Sequence, residues 1–179
     1  MGISYKIYMV PMQVSMGFSQ GIMPLVSYNF ASGDRKRMKA SILFAIKLVV
    51  PALAVVTLLY YIGSGELISL FMKNESIIAY GSRFLRGFSL GLAFLSLDFL
   101  TVGVFQSLGF GKYALLFAVM RKLVLEIPAL LILNAIFPLY GLAYAQFTAE
   151  LILGICAILM LRYIFRKYGN NIKTTTDPS

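Results

Sequence analysis

The chain has 179 residues, of which 59% are hydrophobic and only 13% are charged, and its formal net charge is +9. Soluble domains carry roughly 25% charged residues, so this composition predicts a membrane protein. The basic residues cluster in alternate connections between apolar segments, so we expect the lipid bilayer and no nucleic acid as a partner. Histidine is absent and Cys156 is the single cysteine, which excludes histidine catalysis, histidine metal sites and an internal disulfide framework.

Five apolar segments approach or exceed the roughly 20 residues that a helix needs to cross a hydrocarbon core of about 30 Å. They are residues 7–30, 42–62, 87–108, 113–137 and 141–161. The backbone finds no water inside a bilayer, so segments this long and apolar are expected to be helices. The sequence therefore predicts an all-α, polytopic transmembrane bundle of five spans over residues 1–168, and a disordered cytoplasmic tail over residues 169–179.

The first connection, residues 31–40, combines a helix stop with positive charge. Gly33 can take the left-handed conformation that ends many helices, and four basic residues face one acid there: Arg35, Lys36, Arg37 and Lys39. The connection at Lys112 and the segment after residue 161 are also basic. Cytoplasmic loops are enriched in Lys and Arg, so we expect these three inside, with the N-terminus of the chain outside and its C-terminus inside. An odd number of spans that begins outside predicts earlier helices in a larger protein.

The second connection contains two sequence patterns, each of which predicts the start of a helix. Ser64, Gly65 and Glu66 followed by an apolar run are typical of a short amphipathic helix in the membrane interface. Asn74 with Glu75 after it is a suitable start for the next helix, because an Asn side chain can cap the first turn and an acid there is favourable.

Asp98 is the only charged residue in the third apolar segment, close to its middle. An ionised acid at that depth costs on the order of 2.5 kcal/mol or more. Intramembrane acids usually mark ion pathways, so we interpret Asp98 as a binding site for a cation or a proton, and a sodium ion there is the only metal expected. The structural alternative is a protonated or paired carboxyl that only holds the bundle together.

Two further acids lie in the last two apolar segments. Glu126 follows Lys122 by about one helical turn and lies near Arg121, so we expect an intrahelical ion pair with the basic side chains extending toward the cytoplasmic surface. Glu150 has no basic residue nearby in the sequence. The sequence leaves open whether Glu150 is protonated, bonded to another helix or part of an ion pathway.

Several strings along the chain resemble the C-terminal lobe of the multidrug and toxic compound extrusion (MATE) family. They are GFSQGIMPLVSYNFASGDRKRMK from residue 17, GELISLFMKNESIIAYGSRFLR from residue 65, FQSLGFGKY from residue 105 and EIPALLILNAIFPLYGLAYA from residue 126. Together they are similar to helices eight to twelve of a twelve-helix, two-lobe transporter, and the resemblance extends over nearly all of the chain. It implies that this segment needs the N-terminal lobe as a partner.

The resemblance also implies a function. Members export cationic, often aromatic drugs across the plasma membrane in exchange for sodium ions or protons, without a cofactor and without enzymatic catalysis. Asp98 falls near the tenth-helix aspartate that binds a cation in the sodium-coupled branch, and Phe94 stands where that branch has a tyrosine. We expect Gln20, Asn29 and Thr101 as polar neighbours of Asp98. Aromatic and Met side chains suit a flat cationic drug, and the candidates for substrate contact are Phe94 and Met23.

Two other functions remain open from the sequence. A lipid-linked oligosaccharide flippase of the same superfamily would need several basic residues around a central cavity to hold a pyrophosphate, and the spans contain few, mainly Lys47 and the Arg121–Lys122 pair. A non-transporting membrane subunit would not depend on Asp98.

Overall fold

A computed structural model describes residues 2–136 and 141–169, and every regular element in them is helical. The all-α prediction is thus confirmed. The elements are α1 (Gly2–Ala31), α2 (Arg35–Ser69), α3 (Glu75–Ser89), α4 (Leu92–Ser107), α5 (Gly111–Val119), a π-helical segment (Met120–Glu126), α6 (Ile127–Ile136) and α7 (Gly141–Gly169). The predicted turn at residues 137–140 and, beyond Gly169, the predicted tail lie outside the described residues.

The helices group into five segments, and each overlaps one of the five apolar segments of the sequence. α1, α2 and α7 are single helices, α3 and α4 form a pair bent by 43° at residues 90–91, and α5, the π-helical segment and α6 follow one another. That all five cross the membrane stays a prediction. Two single helices in the described part, Arg35–Ser69 and Tyr144–Tyr168, are long and apolar enough to cross a membrane, and the bent pair qualifies as a third. α1, with 30 residues, is also long enough at about 1.5 Å per residue.

The expected interfacial helix after Ser64 is not present as a separate element, and that prediction is wrong. α2 continues without a break to Ser69. Ser64 is buried and its Oγ accepts a hydrogen bond from Arg86 Nε at 2.8 Å, while Ile68 packs where Gly81 of α3 leaves room. Packing against α3 therefore extends α2 to Ser69, through the first part of the apolar run, and no separate interfacial helix forms there.

Both predicted helix boundaries around the connections are confirmed. Gly33 has φ of 78°, and the Asp34 side chain accepts a hydrogen bond from the Arg37 N–H at 2.9 Å to begin α2. Asn74 begins α3 by accepting from the N–H groups of Ser76 and Ile77 at 3.0 and 3.4 Å. These caps satisfy N–H groups that lack a partner in the first turn of a helix.

α4 lies at the centre of the bundle, in contact with α1, α2 and α7. Small residues permit the close approach: Gly103 faces Ser19 of α1, and Gly154 of α7 faces the Phe94 ring. Ser19 Oγ also donates a hydrogen bond to the Phe99 carbonyl at 2.6 Å. Ten of the sixteen residues of α4 are buried, among them Asp98, so the acid that the sequence singles out lies inside the protein and not against lipid.

The basic connections meet at one end of the bundle. A cluster of buried and half-buried apolar residues joins the end of α1, the start of α2, the α4–α5 connection and the end of α7, through Phe30, Met38, Leu108, Phe110, Leu161 and Ile164. The predicted co-location of the three basic segments on one side is therefore seen in the structure. At the opposite end Ile7, Ile68 and Leu85 form a separate cluster.

Candidate cation site

Three buried charged side chains meet in the middle of the bundle, each from a different element. Arg121, on the π-helical segment, donates from Nη1 to Asp98 Oδ2 on α4 at 2.7 Å and from Nη2 to Glu150 Oε1 on α7 at 2.8 Å. The guanidinium thus bridges two carboxylates instead of binding one of them with both nitrogens. We call Asp98, Arg121 and Glu150 the charged triad.

The triad is almost completely removed from solvent and lipid. The side chains of Asp98 and Glu150 are 1% exposed, and that of Arg121 is 10% exposed. Burial of ions costs several kcal/mol per group unless opposite charges and hydrogen bonds compensate. With all three groups ionised the triad carries two negative charges and one positive charge, and one negative charge stays uncompensated.

Hydrogen bonding within the triad is incomplete. Asp98 Oδ1, Glu150 Oε2 and Arg121 Nε are buried and have no hydrogen-bond partner among the described residues. Each carboxylate therefore keeps one free oxygen, which is where a proton or a small cation would bind. Groups of three or more acidic or cysteine side chains that could hold a metal ion are absent from the described part of the chain.

Neighbouring side chains shape the site. Gln146 Nε2 donates to Glu150 Oε1 at 3.2 Å, and the Arg121 guanidinium carbon lies 5.1 Å from the centre of the Phe99 ring, within the range of a cation–π interaction. A Cβ atom at Gly91 would lie 3.3 Å from Glu150 Cγ, so glycine provides the room that the glutamate occupies. Tyr8 of α1 is buried nearby.

The local backbone explains why Arg121 points inward. Met120–Glu126 is π-helical, and a π-helix has more residues per turn than an α-helix, so it changes which side chains face the core. The expected ion pair between Lys122 and Glu126 is confirmed at 2.8 Å. The expectation that Arg121 extends to the cytoplasmic surface is wrong, because in this segment its side chain meets two buried acids.

The three expected polar neighbours have other hydrogen bonds. Thr101 Oγ1 donates to the Leu97 carbonyl at 2.7 Å and Asn29 Nδ2 to the Leu25 carbonyl at 2.8 Å, both within their own helices. Gln20 lies on an exposed face of α1. The structure therefore brings Arg121, and none of these three, into hydrogen-bond contact with Asp98.

The two candidate substrate contacts are half-buried, Phe94 on α4 and Met23 on α1. Phe94 packs against Gly154 and its ring lies edge-on to Phe147 at 6.4 Å, and Met23 lies beside Gly103. Their contact with a substrate stays a prediction. The sequence signal for the missing partner was the isolation of Glu150, because a bond to another helix was one of the possibilities open for an acid with no base nearby in the sequence.

Comparison with known proteins decides the family. The model of the MatE family matches residues 1–132, which include Asp98 and Arg121. The chain belongs to the MATE family. Similar curated proteins include multidrug export protein MepA from Staphylococcus saprophyticus, 31% identical over 165 residues, and MepA from Staphylococcus aureus strain MRSA252, 30% identical over 166 residues. Each alignment covers 92% of this chain and 36% of the relative, so the chain spans about a third of the length of these relatives.

Solved structures show the same fold. An inward-facing multidrug resistance MATE family transporter of the MOP superfamily superposes with a TM-score of 0.86 at 18% identity, over 94% of this chain and 40% of that one. The MATE transporter VcmN from Vibrio cholerae in its bent form gives 0.86 at 16% identity, over 94% and 38%. This MATE chain is thus a membrane-embedded helical bundle with the fold of part of a MATE transporter.

Proposed function

We propose that this chain acts as the C-terminal-lobe part of a multidrug antiporter that exports cationic compounds in exchange for sodium ions or protons. The observation that carries the proposal is the charged triad, in which two carboxylates and one guanidinium are buried inside an apolar bundle. The names of the MepA relatives, multidrug export proteins, support the substrate class.

The charge of the triad fits a site for one monovalent cation. One uncompensated negative charge in a medium of low dielectric attracts a cation more strongly than it would in water. A proton on a free oxygen, a sodium ion or an organic cation would each neutralise the site. Because they compete for the same charge, binding of one favours release of another, which is the basis of exchange.

Export also requires a second structural unit that moves relative to this bundle. Alternating access in transporters with internal repeats proceeds by movement of one repeat or bundle against another around a shared site. The chain corresponds to about a third of its relatives, so we propose that it works with an N-terminal lobe in the plasma membrane, with the basic end of the bundle in the cytoplasm.

The triad argues against the flippase alternative. A pyrophosphate needs free positive charge, but Arg121 is neutralised by two carboxylates and Lys122 is paired with Glu126. Lys47 is exposed on α2. A site with excess negative charge favours a cationic substrate over an anionic one.

Ethidium efflux tests the proposal. We expect Asp98→Asn, in vesicles that contain the two-lobe transporter with this chain, to reduce efflux driven by an imposed proton or sodium gradient by about tenfold or more, since loss of one charge from a buried pair costs about 2–5 kcal/mol and about 1.4 kcal/mol corresponds to tenfold. The amide keeps the size and hydrogen-bonding capacity and removes the charge.

Asp34→Asn is the matched control. Asp34 caps α2 at the exposed connection, and Asn is an equally good cap, so efflux should equal that of the wild type. Undiminished gradient-driven efflux by Asp98→Asn, at equal protein level, would show that Asp98 only holds the bundle together.

A further inference from the structure

We propose that the Arg121 guanidinium is a tethered competitor for the cation site: it bridges Asp98 and Glu150 in the arrangement described here and withdraws from Asp98 when a transported organic cation binds. This inference rests on the proposed function, because it concerns the same site. It assigns to Arg121 the role of occupying and vacating the cation site. An ion pair that only stabilises the bundle would not have this role.

The hydrogen-bond geometry is that of an occupied cation site. The guanidinium is itself a planar organic cation, and it uses Nη1 for one carboxylate and Nη2 for the other while Nε has no partner. Both carboxylates are also left with one unpartnered oxygen. Because a single hydrogen bond joins the guanidinium to each carboxylate, Arg121 can leave Asp98 without breaking its contact with Glu150.

The close packing of the site favours displacement of Arg121 by an organic cation. Asp98 and Glu150 are each 1% exposed, and the ring of Phe99 faces the guanidinium at 5.1 Å. A proton can join the free oxygens without moving Arg121, but an organic cation is at least as large as the guanidinium. Its charge can reach both carboxylates and the Phe99 ring only in the place that Arg121 occupies.

The backbone conformation at Arg121 provides a route for its side chain to leave Asp98. The π-helical segment, Met120–Glu126, lies between the α-helices α5 and α6. Such segments are often found at functional sites, and a change from π-helical to α-helical hydrogen bonding would rotate Arg121 relative to the core. Lys122, the next residue, is 61% exposed, so a rotation by one residue position, about 100° in an α-helix, separates the buried position from an exposed one.

Equilibrium binding of tetraphenylphosphonium to the purified two-lobe transporter tests the inference. Arg121→Gln should bind this cation at least about tenfold more tightly than the wild type, because the variant leaves two buried carboxylates without a counter-charge that the bound cation can then supply. Arg121→Lys keeps a tethered charge and should stay near the wild-type affinity.

Lys122→Gln is the control for net charge. It removes the same positive charge one residue away, from an exposed position paired with Glu126, and its affinity should lie within about twofold of the wild type because exposed ion pairs contribute little. An equal gain of affinity in Lys122→Gln and Arg121→Gln would overturn the inference in favour of a general charge effect.

Addition of free guanidinium tests whether Arg121 competes for the cation site or only stabilises the structure. Millimolar guanidinium chloride should reduce tetraphenylphosphonium binding to Arg121→Gln much more than choline chloride does at the same concentration, because the vacated place accepts it. The wild type should respond equally to both salts. If Arg121→Gln does not fold, Arg121→Gln with Glu150→Gln has the net charge of the wild-type triad and replaces it in the same titration.

The outcomes for this inference and for the proposed function are distinct. A wild-type transporter that neither exports ethidium under a gradient nor binds tetraphenylphosphonium contradicts the proposed function. A wild type that does both, with an Arg121→Gln variant of unchanged or weaker affinity and no specific effect of guanidinium, contradicts the tethered competitor alone.

Discussion

At the scale of residues, the charged triad is a poor way to stabilise a bundle. Replacing a buried ion triad by apolar residues of similar volume is often neutral or stabilising by about 1–4 kcal/mol, whereas removing one partner costs about 3–5 kcal/mol. The free oxygens of Asp98 and Glu150 add to the cost, because each is buried without a hydrogen bond. Stability alone therefore does not account for the triad, which fits the proposed role in transport.

This explanation makes a prediction about stability. We expect Arg121→Met alone to destabilise the bundle by about 3–5 kcal/mol, and the triple variant Asp98→Leu, Arg121→Met, Glu150→Leu to be at least as stable as the wild type. The measurement is thermal unfolding in detergent, with ethidium efflux tested in parallel. Efflux should be lost in the triple variant. A triple variant as unstable as Arg121→Met would mean that the triad is needed for folding.

The sequence predicted Asp98 but not its partner, for a physical reason. A lone acid in an apolar segment can be recognised from the sequence alone, because the free-energy cost of burying its charge depends on the apolar residues around it in the chain. Arg121 lies 23 residues away and Glu150 another 29 residues further along. Their meeting depends on the rotation of three helices about their axes, and the π-helical segment that carries Arg121 was not predicted from the sequence.

At the scale of elements, α4 is held in the middle of the bundle by close contacts at glycine. A Cβ atom at Gly103 would collide with Ser19 Oγ of α1, whereas Gly21 on α1 has open space around its Cα. Small residues at helix interfaces in membranes let backbones approach closely. The position of Asp98, one and a half turns from Gly103, therefore depends on this contact.

We expect Gly103→Ala to destabilise the bundle by about 1–3 kcal/mol, the range found when a well-packed interior is overfilled. Gly21→Ala should be neutral or slightly stabilising, since alanine is the better helix former. Thermal unfolding of the two variants in detergent provides the comparison. Ser19→Gly combined with Gly103→Ala should recover part of the loss. Equal stability of the Gly103 and Gly21 variants would contradict the close contact.

Elements were predicted well where the bilayer sets them and less well where packing does. The helical structure of the apolar segments, the Gly33–Asp34 connection and the Asn74 cap follow from local chemistry and are present in the described residues. The bend of 43° between α3 and α4 and the continuation of α2 to Ser69 follow from contacts between helices. Ile68 fits beside Gly81, and a contact of this kind cannot be read from the apolar run alone.

At the scale of the whole molecule, charge is distributed unevenly between the two ends of the bundle. The end formed by the first connection, the α4–α5 connection and the end of α7 carries Arg35, Lys36, Arg37, Lys39, Lys112, Arg162, Arg166 and Lys167 against Asp34. The α2–α3 end has a mixture of acids and bases: Glu66, Lys73, Glu75, Arg83 and Arg86. This asymmetry predicts orientation, because excess Lys and Arg in short loops stays in the cytoplasm.

The orientation can be tested by thiol labelling in intact cells. In a background with Cys156 and all other cysteines replaced, we introduce Lys36→Cys at the basic end or Lys73→Cys at the opposite end, both at exposed positions. A membrane-impermeant maleimide should label the Lys73→Cys variant in intact cells and the Lys36→Cys variant only after permeabilisation. Because the structure places the three basic segments at one end, cysteines at Lys112 and Arg166 should behave like that at Lys36. Labelling of Lys36→Cys in intact cells would reverse the proposed orientation, and a different result for Lys112→Cys or Arg166→Cys would contradict the bundle itself.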